Sequence, residues 1–314
     1  MITRSAANAI LSACAAACVA ASACRPADAA KGRGDSAELR RREARLERSL
    51  AKRDSGATSD TDATKPLARW IMPVDLAELS GVALLPDGRL LAHGDEHAKI
   101  YEVDYRRGTV VKEFALGSPA VKGDFEAIAA VDDRFYLLDS NGTLYEFQEG
   151  KNGEHVEYST HDTKLGKECE FEGLTYDSAI TSLLLACKHV HKKSLKNDLL
   201  IYRWPAHKDD QGERQISELA IPLSSIPKAV LRKGEFHPSD IAIDPITGNY
   251  VIISSLERAI ISLTPAGQVV FARPLPGEHD QPEALAITKD SILIIGDEAA
   301  HKPAAITLFR WPLP

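Results

Sequence analysis

The chain has no apolar stretch that reaches the ~20 residues a membrane-crossing helix needs. Positive charge is also in deficit. Lys and Arg total 38 against 45 Asp and Glu, a net charge of −7 over 314 residues. A phosphate backbone wants a basic surface, so nucleic acid is excluded as the main partner. Long helical periodicity is missing, which argues against an all-α fold. There is no G-x-S-x-G elbow and no H-E-x-x-H pair, so two common hydrolase designs are excluded. Cysteine is scarce: beyond Cys24 only Cys169 and Cys187 remain.

What is present divides into three stretches. Residues 1–23 carry one early positive charge at Arg4, then an uncharged Ala-rich run ending in "ASAC" (Ala21–Cys24). This resembles a bacterial lipoprotein signal, with Cys24 as the lipidated residue. "LSAC" (Leu11–Cys14) fits the same pattern but leaves too short an apolar region. The alternative is an ordinary cleaved signal ending near Ala23 or Ala30. In either case the chain leaves the cytosol. Arg25 rather than Asp follows Cys24, which in enteric-type sorting sends a lipoprotein to the outer membrane. The expected location is therefore the cell envelope, facing periplasm or surface, with the membrane reached through the lipid anchor only.

Residues 24–65 lack aromatics and read as a flexible tether. Asp35 and Glu38 can cap a short helix over "AELRRREARLERSLAKR". Its apolar stripe is thin, only Leu39, Leu46 and Leu50, and predicts a solvated, transient helix. The RGD triplet at Arg33–Asp35 reads as chance.

Residues 66–314 read as short strands separated by turns such as Asp87-Gly88, Asn141-Gly142 and Thr247-Gly248. One segment recurs: "ELSGVALL", "DFEAIAAV", "ECEFEGLTYD", "HPSDIAID" and "QPEALAIT". Aligned, these place Ser80, Glu126, Glu172, Ser239 and Glu283 at one position, at spacings of 46, 46, 67 and 44 residues. A repeat of ~40–50 residues carrying four strands is a β-propeller blade. The long third unit holds the basic stretch Lys188–Asp198, read as a hairpin insertion, and a second insertion at Ser224–Gly234. The last unit supplies three strands, so Leu67–Val74 is expected to complete it. The fold class is all-β: a five-bladed propeller closed by its N-terminal strand, with six blades as the alternative.

The repeated segment is the expected innermost strand of each blade, small and apolar because blades crowd near the axis. Crowding does not account for Glu126, Glu172 and Glu283, which would converge at one mouth of the channel. The second strands end near the same face in Asp95, Asp139 and Asp297. Carboxylates packed together raise one another's pKa, and a bound cation relieves this. Hard oxygen ligands suit Ca²⁺. Lys or Arg side chains with channel water are the other way to neutralise such a ring.

The segments "DFEAIA", "FEGLTYD", "HPSDIAID" and "PEALAIT", behind a signal and tether, resemble the SdiA-regulated family of bacterial propellers, distantly similar to NHL-repeat propellers. The resemblance covers roughly residues 66–314. It implies five blades, a calcium site and no established catalytic activity. The carry-over falls on Glu126, Glu172 and Glu283, with Asp139 and Asp297 as further candidate metal ligands. Ser80 and Ser239 break the symmetry of the ring.

Cys169 and Cys187 lie roughly diagonal across a hairpin, and either a disulfide or two buried thiols fits. The histidines of "HVH" (His189–His191) are expected in an exposed loop. Those of "HGDEH" (His93–His97) and "GEHD" (Gly277–Asp280) are expected as hydrogen-bonded turn residues near the acidic face, where a histidine beside carboxylates could also be a general base. Two functions follow. One is a calcium-binding interaction scaffold for an envelope protein or polymer, not an enzyme. The other is a metal-dependent hydrolase, phytase-like or a lactonase, an analogy from fold alone, with Arg258, Lys188 and Lys122 as the bases expected near the acidic mouth.

Overall fold

The computed structural model describes residues 36–54 and 64–312. The signal reading of residues 1–23 and the lipidation of Cys24 lie outside the described residues.

Among the described residues, twenty-one strands form five small sheets, antiparallel except for one short parallel pairing. β1 (Ala68–Ile71) precedes the first complete blade. That blade is β2 (Leu79–Leu84), β3 (Leu90–Gly94), β4 (Lys99–Asp104) and β5 (Thr109–Leu116). The second is β6 (Phe125–Val131), β7 (Arg134–Asp139), β8 (Thr143–Gln148) and β10 (Tyr158–Asp162). Between β8 and β10, the two-residue β9 (His155–Val156) crosses over to pair in parallel with β5. The third blade is β11 (Cys169–Asp177), β12 (Ser182–Val190), β13 (Asp198–Pro205) and β14 (Ser217–Pro222). The fourth is β15 (Asp240–Ile243), β16 (Tyr250–Ser254), β17 (Ala259–Leu263) and β18 (Val269–Pro274). The fifth has β19 (Pro282–Ile287), β20 (Ile292–Asp297) and β21 (Ala305–Arg310), and β1 completes it.

The fold is thus a five-bladed β-propeller. Its repeated segments are the inner strands β2, β6, β11, β15 and β19, each contacting the next around the ring. β1 pairs with β21 from Ala68↔Leu308 to Ile71↔Ala305 and closes the circle. That pairing covers the edge that β21 would otherwise expose. The long third repeat is absorbed by loops and 3-10 turns, among them Leu223–Ser225 and Lys228–Val230, and not by a sixth sheet.

The core is distributed between blades. Ile and Leu of the second and third strands, such as Leu91, Leu137, Leu185, Ile252 and Ile294, are fully buried. Alternation sends successive side chains to opposite faces of a sheet, and here each face meets a neighbouring blade. The tight turns fall where Gly supplies positive φ, as at Gly142, φ 84°.

The helix α1 (Ser36–Asp54) is well formed and docked. Leu46 is 1% exposed in the cluster that includes Leu67, Met72, Tyr105 and Leu308, with Leu50 packed beside it. Glu43 pairs with Arg107 at 2.8 Å, and the Arg42 guanidinium lies over the Trp70 ring at 5.5 Å. This corrects the solvated helix expected from its thin stripe. One leucine suffices because the helix lands on the joint where β1 meets the first blade. There Trp70 donates to Tyr105 O at 2.7 Å, and Gly108 leaves room for its ring: a Cβ at that position would lie 2.4 Å from the Trp70 side chain.

Candidate functional site: the acidic mouth of the channel

The aligned position is set by a bulge. In β2, β6, β11 and β19 the pairing with the next strand skips one residue, and that residue is Ser80, Glu126, Glu172 and Glu283 in turn. A bulge re-aims the skipped side chain. These side chains come together: Ser80 Oγ reaches Glu126 Oε2 at 3.5 Å, and Glu126 feels both Glu172 and Glu283 across the ring.

A cation already stands among them. Lys188 Nζ donates to Glu172 Oε1. Lys188 is thus near the mouth, as expected, but it does not lie in a hairpin insertion. It belongs to β12, where the pairing with β11 skips it just as it skips Glu172. Cys169 and Cys187 are bridged, with 5.7 Å between their Cα atoms, which ties β11 to β12 next to this double irregularity.

Burial dominates the electrostatics. It pushes the Glu126 carboxyl up to about 9, with Glu172 and Asp124 adding to the rise and Lys188 opposing it. Burial raises Glu172 to about 7 against the pull of Lys188. Glu283 is raised by burial and by Glu172. Glu298, just past β20, is raised to about 7 by burial, Glu283 and Asp95, and accepts from Gln281 Nε2 at 2.6 Å. Burial works against the Lys188 ammonium, but Glu172, Glu126 and Glu283 together outweigh it and hold its pKa above the usual range.

Asp240 went unnoticed in the sequence. It follows Ser239 and occupies the alignment column that holds Gly81, Ala127, Gly173 and Ala284. It is 1% exposed, and its carboxylate accepts from the backbone N–H of Ile241 and of Leu285, each at 2.7 Å, and from that of Leu174. Three inner strands therefore meet on one side chain. Burial raises its pKa far above the ordinary value. The only available signal was an acid in a column of small residues.

The two other acids expected as ligands have different partners. Asp139 accepts from the N–H of Asp124 and Asn141 at 3.3 and 3.2 Å, a turn-capping role. Asp297 takes His279 Nδ1 at 2.8 Å, the Asp280 N–H at 3.1 Å and Arg69 at 3.4 Å. His279 is satisfied on both nitrogens, its Nε2 lying 3.0 Å from Pro276 O. His93 is fully buried, its pKa driven down to about 4 by burial, with Nε2 against Gly81. Neither is a solvent-facing base. His189 is half-buried in β12 rather than in a loop, its ring 5.0 Å from that of His237, which pairs through Nδ1 with Glu257 at 3.0 Å.

Among the described residues no group of three or more His, Cys, Asp or Glu is placed to hold a metal ion. The carboxylates that the family resemblance assigns to calcium do not fit that role as arranged, since one of the three, Glu172, is already bonded to the Lys188 ammonium. What the mouth can do is hold protons near neutral pH and attract positive charge.

The other end of the channel differs. A cavity of about 360 Å³ opens there, lined by Val82, Ala129, Leu174, Ile241 and Leu285 from the five inner strands, with Tyr176 and Lys289 among its outer residues.

The chain matches no family model and no curated protein. Solved structures do match. A glutaminyl cyclase from Myxococcus xanthus has 10% identity over 78% of this chain and 94% of that chain, with a TM-score of 0.51. The PQQ-bound aldose sugar dehydrogenase from Streptomyces coelicolor has 15% identity over 78% and 97%, with a TM-score of 0.53. At such identities the likeness shows the β-propeller fold alone.

Proposed function

We propose that the protein is an interaction scaffold of the bacterial cell envelope whose acidic mouth receives a cationic group of a partner protein or polymer. The observation that carries this reading is the charge imbalance at the mouth. Four carboxyl groups, Glu126, Glu172, Glu283 and Glu298, gather there around the single ammonium of Lys188, which is bonded to Glu172 alone. A cleft of one sign attracts the opposite charge and speeds its encounter. The signal-like residues 1–23 and Cys24 support the envelope location, which labelling with a radioactive fatty acid tests: incorporation should vanish in Cys24→Ala.

Calorimetric titration of the full-length protein with lysine-rich, neutral and glutamate-rich peptides tests the scaffold reading. The lysine-rich peptide should bind at low salt, weaken as salt rises, and bind less to Glu283→Gln/Glu298→Gln. Equal binding of all three peptides, or of none, removes the reading.

A hydrolase acting on a phosphoester or lactone is the second reading. Its specific support is Glu172, a carboxyl titrating at about 7 beside a protonated lysine, which can exchange a proton at neutral pH. Turnover of a chromogenic phosphoester or lactone that is lost in Glu172→Gln would favour it; absence of turnover with and without calcium would reject it.

A further inference from the structure

Glu172 and Lys188 are both skipped in the ladder between β11 and β12. Two facing irregularities turn a carboxylate and an ammonium off their strands toward each other, and the two groups bond. The Cys169–Cys187 bridge clamps the same two strands immediately beside them. The lysine side chain is three-quarters buried and the glutamate 94% buried, so neither is an ordinary solvated surface ion. Glu126 and Glu283, from the second and fifth blades, act on the same ammonium.

We infer that Lys188 is a built-in counter-ion: its ammonium fills the cation position of the channel mouth, in place of the divalent metal that the family resemblance implies. A lysine ammonium is a compact point charge on a flexible stem, well suited to a ring of carboxylates. The positive charge is delivered by the chain itself, so the folded state of this protein does not depend on calcium. Removing the ammonium leaves oxygen donors facing one another, and hard cations are the ligands such donors take. This inference goes beyond the binding role proposed above and does not depend on which partner the mouth receives.

Thermal unfolding of the full-length protein, with added calcium chloride or with EDTA, tests it in wild type, Lys188→Met, Lys188→Arg and Lys188→Met/Glu172→Gln. The wild type should melt at the same temperature in both conditions. Lys188→Met should melt about 5 °C or more lower in EDTA, and calcium should restore much of that loss by binding the folded state only. Lys188→Arg should stay indifferent to calcium, and the double variant should regain stability without it. A wild-type melting temperature that rises with calcium overturns the inference, because a metal is then the counter-ion. So does a Lys188→Met protein that loses no stability, or one that loses stability and ignores calcium. If Lys188→Met does not fold, the double variant decides: recovery without calcium supports the counter-ion role, and failure to recover overturns it.

Discussion

The two ends of the channel are built from the same five strands and share no chemistry. At one end the strands begin in bulges, and glutamates gather around a lysine. At the other end the ladders run regularly and the cavity lining is mostly Val, Ala, Leu and Ile, with polar residues such as Asp132 and Lys289 among the rest. A regular strand fixes which face each side chain takes, whereas a bulge frees one residue from that alternation. The irregular end is therefore where a propeller of this kind can place charge without opening its core. Asp240 marks the division: its backbone bonds reach Leu174 and Leu285, residues that also line the apolar cavity.

The largest test of this contrast puts charge at the wrong end. Ala129→Asp sets a carboxylate on a 3% exposed position in the apolar part of the lining. A cost of about 4 kcal/mol is expected in denaturant unfolding, and a cost near zero would mean the cavity end is wetter than its lining implies. Next is Asp240→Ala, which strips the acceptor from three backbone N–H groups and should cost about 3 kcal/mol. Asp240→Asn keeps one acceptor oxygen and should cost less. Equal losses would show that the charge and not the hydrogen bonds matters there.

Leu46→Ala is a control at the closing joint, remote from this contrast. It empties a fully buried position under α1 and should cost about 2 kcal/mol, with peptide binding at the mouth unchanged. The smallest effect is a slope. A carboxyl whose pKa is higher folded than unfolded grips its proton more tightly in the native state. Its stabilisation is full below the ordinary value of 4.5 and is lost as pH rises through about 7 for Glu172 and about 9 for Glu126. Melting temperatures should therefore fall from pH 5 to pH 9, and Glu126→Gln should flatten the upper part of that decline. A wild-type curve that rises over this range would contradict the crowded mouth.

The blade count, the closing strand and the convergence of Glu126, Glu172 and Glu283 were legible because they repeat. What repeats only once was not. Lys188 was expected near the mouth, but its pairing with Glu172 was hidden inside an apparent insertion, because strand alternation alone cannot show a double skip. Asp240 was masked by the serine before it, which fills the glutamate position. Asp139 and Asp297 end their strands where ligands would stand, but the adjacent turns and His279 claim their oxygens. Leu46 was discounted because a helix with one well-placed leucine is indistinguishable in sequence from a solvated one until its landing site is known.

The docked helix also sets how the protein meets mechanical force. Tension applied upstream of Ser36 is taken first by α1, through Leu46 and the Glu43–Arg107 pair, and only then by β1. The helix can peel away while β1 stays paired with β21 from Ala68 to Ile71. It is placed to yield as a mechanical fuse, so that the ring stays closed under a load that would otherwise pull directly on its closing strand.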